Sequence, residues 1–146
     1  MKRILLVTVL FFCMIALKSQ GFIGLHERNI LQVMDMEHPG LVLQSDIRNS
    51  SVRYLKYLSK DNQETWVIFL DDSGICKGVR ITCANSRYDS RISELNELYK
   101  PGELNRWSYT EKSEKIDVSL KRDDYFFTVT WERAKKRGKS GNDRAA

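Results

Sequence analysis

Histidine and cysteine are scarce in this sequence, which restricts the metal and redox chemistry that it can support. Of 146 residues, two are histidine and three are cysteine. A bound metal needs three or four converging ligands, and no third ligand accompanies His26 and His38 at a spacing that metal sites use. We therefore predict no metal site and no cofactor.

Recognised catalytic motifs are also missing. The sequence has no glycine-rich phosphate loop, no serine-elbow pattern and no zinc-binding cysteine pair. The pairs Asp71-Asp72 and Asp123-Asp124 can in principle hold calcium or act as acid and base. Both pairs fall at predicted hairpin tips, where aspartate is favoured because its side chain bonds the local backbone. We therefore predict turns at these positions and no catalytic residue.

The pair Cys76 and Cys83 is not expected to form a disulfide within one molecule. Both lie on one predicted strand, seven residues apart, which separates them by about 23 Å at roughly 3.3 Å per residue. A bridge needs Cα atoms within about 7 Å. The odd spacing also predicts opposite faces, with Cys83 in the core and Cys76 as a half-exposed thiol able to pair between molecules.

A secretory signal peptide is predicted at the start of the chain. Lys2 and Arg3 precede an apolar run over residues 4–17, and Ser19 and Gly21 then supply the small residues that signal peptidases prefer before their cut. The run is too short to cross a bilayer, which needs about 20 residues, so we expect no stable membrane insertion of the mature chain. Residues 1–21 would be removed, and the product would be periplasmic or secreted.

Charge is distributed unevenly over the remaining chain. The net charge is +5, yet residues 22–132 hold 15 basic and 18 acidic residues and so carry about −3. A mildly acidic body does not suggest a nucleic-acid-binding face. Residues 133–146 hold six basic residues and one acidic residue, and they lack the apolar surface needed to offset their ordering entropy. We predict one domain over residues 22–132 and a disordered basic tail over residues 133–146.

The apolar periodicity of the body alternates between helical and extended patterns. A helix is predicted where apolar residues crowd one side of residues 25–37, before Pro39 and Gly40. A second helix is predicted where Tyr88, Ile92, Leu95 and Tyr99 recur at steps of four, three and four. Period-two alternation predicts strands at residues 53–58, 65–70, 75–83, 107–109, 116–120 and 125–131.

Short connections between the strands predict antiparallel neighbours. The order is helix, three strands, helix, three strands. The simplest way to bury every apolar face is an α+β two-layer sandwich, in which both helices cover one face of an antiparallel sheet.

Aromatic residues on the predicted strands are the one indication of a binding surface. Helices that cover one face of the sheet leave rings on the other face exposed, and exposed aromatic surface is typical of binding sites. We take Trp66, Tyr54 and Phe126 as candidate binding residues; the alternative is that these rings fill the core.

Several segments resemble small exported proteins of unknown function of the Bacteroides type. The resembling segments are residues 54–57, 74–76, 94–99 and 125–130, with the sequences YLKY, GIC, ELNELY and YFFTVT. The resemblance covers about residues 24–131 and implies a periplasmic or secreted bacterial protein. It implies no activity.

These observations favour an exported, non-enzymatic binding module that contacts a protein or an envelope component. Two alternatives stay open: a small periplasmic hydrolase, and a purely structural envelope protein. A hydrolase would gather polar groups in one concave pocket, whereas a binding module would present an apolar, aromatic groove or patch.

Overall fold

The structure, a computed structural model, describes residues 21–49 and 51–135. An antiparallel sheet of eight strands and two helices make up this part of the chain, which confirms the predicted α+β class. The helices are α1 (Glu27–Glu37) and α2 (Tyr88–Leu98). The strands are β1 (Leu41–Arg48), β2 (Arg53–Ser59), β3 (Glu64–Leu70), β4 (Cys76–Ala84), β5 (Lys100–Pro101), β6 (Arg106–Glu111), β7 (Glu114–Arg122) and β8 (Phe126–Arg133). The predicted signal peptide lies outside the described residues except for Gly21, as does the predicted tail beyond Lys135.

Each half of the chain contains four strands, so the prediction of three strands per half is wrong. Strand β1 was missed because its register shifts between Leu43 and Ser45, and such a bulge breaks the period-two alternation that reveals a strand. Strand β5 has two residues, one of them Pro101. It lies at the edge of the sheet, where proline is tolerated.

The sheet is two meanders joined at the centre. The strand order is β1-β2-β3-β4-β8-β7-β6-β5, and α2 carries the chain from β4 to the far edge, where β5 begins. Strands β4 and β8 are therefore the one pair in this sheet that joins the two halves, and they pair over Gly78–Ala84 and Phe126–Glu132.

One face of the sheet is buried from strand to strand. Leu55, Ile68, Val79, Trp131 and Val118 are successive cross-strand neighbours from β2 to β7, and each is at most 5% exposed. Burial of such side chains stabilises the fold by roughly 1.5–3 kcal/mol each. The opposite face of the central pair is polar: Thr82 pairs with Thr128, and their hydroxyls lie 3.3 Å apart.

Side chains from both helices contact the buried face. From the α2 side, Tyr88 packs edge-on against Phe127, and the hydroxyl of Tyr99 accepts a hydrogen bond from Trp131 Nε1 at 3.1 Å. From α1, the buried Glu27 pairs with Arg48 and with Arg53. A buried carboxylate is costly unless it is paired, so these two arginines fix the start of α1 against β1 and β2.

Cys76 and Cys83 are both buried and carry free thiols. The prediction that Cys76 is half-exposed and faces away from Cys83 is wrong. Leu70 pairs with Cys76 whereas Phe69 pairs with Gly78, so Lys77 is an extra residue in β4. This bulge offsets the odd sequence spacing and turns both thiols to the same, buried face.

Strand β8 extends one residue into the predicted tail. Arg133 pairs with Ile116 across β7, and the Ala134 N–H donates to the carbonyl of Lys115 at 2.8 Å. The sheet therefore ends slightly later than the predicted domain boundary at residue 132.

Candidate binding cavity between the helices

A cavity of about 220 Å³ lies over the middle of the buried sheet face. Its floor comes from β3, β4, β6 and β8, one side from the N-terminal segment 21–23 and the end of α1, and the other side from α2. The lining residues are Gly21, Phe22, Ile23, His38, Trp66, Val79, Ile81, Arg91, Glu94, Tyr109 and Trp131. We call this space the interhelical cavity.

The aromatic side chains that line the interhelical cavity are held in place by specific contacts. The Trp66 ring meets Phe22 edge-on at 6.1 Å and His38 at 4.8 Å, and its Nε1 donates to Glu64. On the floor, Tyr109 of β6 stacks against Tyr99 with ring centroids 4.9 Å apart. These contacts restrict the ring orientations, so the cavity has a largely fixed shape.

Charged groups stand only at the rim of the cavity. Arg91 donates to Glu94 at 2.9 Å and lies 3.7 Å from Glu64. Glu64 also accepts a hydrogen bond from Arg87 at 3.0 Å. The rim charges therefore compensate one another, and the interior presents mainly apolar and aromatic surface.

Tyr109 is a neutral phenol inside this environment. Burial raises its pKa well above the ordinary value of 10.0, and the adjacent Tyr99 and Glu111 raise it further. At neutral pH its hydroxyl is therefore available as a hydrogen-bonding group and not as a base.

The three predicted binding residues do not form one surface. Trp66 is 5% exposed and lines the interhelical cavity, so the expectation that it lies on the open face is wrong. It shares a face with Ile68 and Leu70, and that face is the buried one.

Tyr54 and Phe126 lie on the face opposite to Trp66, at opposite ends of it. Tyr54 is a cross-strand neighbour of Phe69, with ring centroids 6.3 Å apart, and Arg80 lies over the Phe69 ring at 5.5 Å. Phe69 in turn neighbours Gly78, which pairs with Glu132. Phe126 is six residues from Glu132 along β8, a distance of about 20 Å.

In the acidic pair at the β3–β4 connection, Asp71 stabilises the turn through hydrogen bonds to its backbone. Asp71 accepts hydrogen bonds from the backbone N–H groups of Ser73 and Ile75, both at 2.9 Å. Gly74 follows with a φ of +77°, a conformation that favours glycine. The interpretation of Asp71 as a turn residue is confirmed.

The two histidines lie at the two ends of α1. His26 Nδ1 accepts from the Arg28 N–H at 3.2 Å at the start of α1, and His38 follows the last residue of α1. Within residues 21–49 and 51–135, no group of three or more His, Cys, Asp or Glu side chains is arranged to hold a metal ion.

Two groups of residues line the cavity although the sequence did not predict a site role for them. Phe22 and Ile23 follow the predicted cleavage point directly and are buried; an apolar pair at the start of a mature chain was their only signal. Arg91 and Glu94 lie off the apolar stripe of α2, and helical periodicity does not reveal which polar side chains border a cavity.

Comparisons with protein-family models, with curated proteins and with solved structures returned no match for this chain. In the part of the chain that the structure describes, neither helix has the length and apolar character needed to cross a membrane.

Proposed function

We propose that this chain is an exported, non-enzymatic binding module that holds one large apolar side chain of a protein partner in the interhelical cavity. Export is supported by the composition of residues 1–21 and by the resemblance to small exported bacterial proteins. The binding role is supported by the cavity itself, which is concave, mostly apolar and bordered by compensated charges.

The size of the cavity favours a side chain over a free small molecule. Pockets for drug-sized ligands have volumes of about 300–1,000 Å³, and this cavity has about 220 Å³. Protein interfaces concentrate their binding energy in a few aromatic or large apolar anchors that fill pockets of the partner. A cavity between Trp66 and Trp131 suits one such anchor.

The same proposal includes a two-layer arrangement. Both helices lie on the cavity side of the sheet as one layer, and the face that carries Tyr54 and Phe126 is open. The walls of the cavity are then the two helical elements, and its floor is the sheet, so occupancy of the cavity depends on how the two layers are spaced.

The proposal can be tested with N-acetyl-tryptophanamide as an uncharged mimic of an anchoring side chain. We expect saturable shifts in the indole N–H signals of Trp66 and Trp131 in NMR titrations. A single anchor would bind in the millimolar range, which corresponds to about 4 kcal/mol. Trp107 is the internal control, because its Nε1 donates to Asn96 at 2.8 Å and it does not line the cavity.

Two matched variants make this test specific. Val79→Phe fills the cavity from its floor and should abolish the shifts, whereas Val67→Phe adds the same volume on the opposite face and should leave them unchanged. Circular dichroism shows whether both variants are folded, since overpacking costs roughly 1–3 kcal/mol. Equal binding by a folded Val79→Phe variant, or equal shifts at all three tryptophans, would refute the proposal.

A further inference from the structure

The N-terminal segment that closes one end of the interhelical cavity is firmly anchored to the sheet. The Gly24 N–H donates to the carbonyl of Cys76 at 2.8 Å, and the Cys76 N–H donates to the carbonyl of Leu25 at 2.8 Å. Phe22 and Ile23 are each 8% exposed. The segment that follows the predicted cleavage point is therefore held against the sheet.

A carboxylate with one unpaired, buried oxygen lies beside this segment. Glu111, at the end of β6, shares the inward-facing side of that strand with Trp107 and Tyr109. Among the described residues, its buried Oε2 atom has no hydrogen-bond partner. Burial of an unpaired carboxylate oxygen is costly, so a compensating cation at this position would stabilise the fold.

Gly21, on the N-terminal segment, lies next to that carboxylate. A Cβ atom placed on Gly21 would lie 3.0 Å from Glu111 Oε1, and Gly21 has a φ of +121°. The backbone nitrogen of Phe22 is two covalent bonds from the Cα atom of Gly21. Only a short stretch of backbone therefore separates the Glu111 carboxylate from the Phe22 nitrogen.

The charged neighbours of Glu111 do not supply the missing cation. Lys112, Glu114 and Arg133 border the same surface depression. Arg133 is bonded to Glu114 through Nε at 2.6 Å, and among the described residues no ion pair joins Glu111 to Lys112 or to Arg133. Tyr109, on the same strand, is kept neutral by burial, which raises its pKa.

We infer that cleavage between Gly21 and Phe22 creates an α-ammonium group that pairs with Glu111 and locks Phe22 into the wall of the cavity. Hydrolysis of this peptide bond adds water: the hydroxyl goes to the Gly21 carbonyl carbon and the hydrogen to the Phe22 nitrogen, which is protonated at neutral pH. Removal of Gly21 also clears the space next to Glu111. This inference rests on the export proposed above.

The test uses the full-length gene expressed in an exporting bacterial host. Intact mass and the N-terminal peptide of the processed product identify its first residue. The native product is then acetylated at pH 7 with limiting acetic anhydride, and mass spectrometry follows the α-amine. Since one pKa unit changes the fraction of free amine about tenfold, we expect Glu111→Gln to raise the acetylation rate about tenfold or more.

Two further variants separate pairing from a general loss of structure. Glu103→Gln alters an exposed carboxylate and should leave the rate unchanged, and Glu111→Asp keeps the charge and should retain part of the protection. In urea, all variants should react alike. An α-amine that reacts equally fast in the processed native protein and in its Glu111→Gln variant overturns the pairing and leaves export standing, whereas a product that retains Met1 overturns both.

Discussion

Burial keeps Cys76 and Cys83 as neutral thiols. Burial raises the pKa of Cys76 to about 12, and it also raises the pKa of Cys83. Because the folded-state pKa lies above the unfolded value of about 8.5, the buried thiol costs no stability below that pH. As the pH rises from about 8.5 towards 12, the unfolded thiol ionises first, so stability falls over this window.

Neither thiol should react with a thiol-specific reagent at pH 8 while the processed protein is folded. In urea the same protein should give two reactive thiols per chain. Cys76→Ala should also reduce the loss of stability between pH 8.5 and 10.5, measured by urea melts at several pH values. Rapid native labelling would contradict the burial of Cys76, and fewer than two thiols in urea would reveal a disulfide.

At the scale of single elements, α2 depends on one buried leucine. Leu95 is 1% exposed and lies on the buried side of α2. The preceding residue, Glu94, is exposed and pairs with Arg91. Leu95→Ala should lower the free energy of unfolding by about 2–5 kcal/mol, because it leaves a cavity in the core. Glu94→Ala should cost about 0–1 kcal/mol, as is usual for an exposed ion pair.

Urea denaturation of the two variants gives this comparison directly. A loss for Glu94→Ala that equals or exceeds the loss for Leu95→Ala would mean that α2 is rotated about its axis. The wall of the interhelical cavity would then be formed by other residues.

Periodicity predicted the elements better than their arrangement. Both helices and six strands follow from strong apolar patterns, but β1 was missed because the bulge between Leu43 and Ser45 disrupts alternation. Alternation also showed that Trp66, Ile68 and Leu70 share a face. It did not show which face is buried, since that depends on contacts between residues distant in sequence, such as Trp131 with Tyr99.

For the molecule as a whole, the central strands should open last. β4 and β8 each have a hydrogen-bonded neighbour on both sides, whereas β1 and β5 form the edges. Amides with buried, fully paired surroundings exchange only through large openings. We expect hydrogen exchange monitored by mass spectrometry to be slowest in residues 78–84 and 126–132, and fastest in β1 and β5. Exchange of residues 41–84 as a unit independent of residues 100–133 would contradict this expectation.

The position of β8 has a consequence for the order in which the protein can fold. Residues 126–133 are synthesised after the other seven strands of the sheet, yet they pair with β4 in its middle. Until they arrive, β4 is an unprotected edge, and the contacts that close the sheet span more than forty residues, which slows folding. A chain that lacks β8 therefore cannot form the β4–β8 pairing. The sheet cannot be completed until β8 has been synthesised.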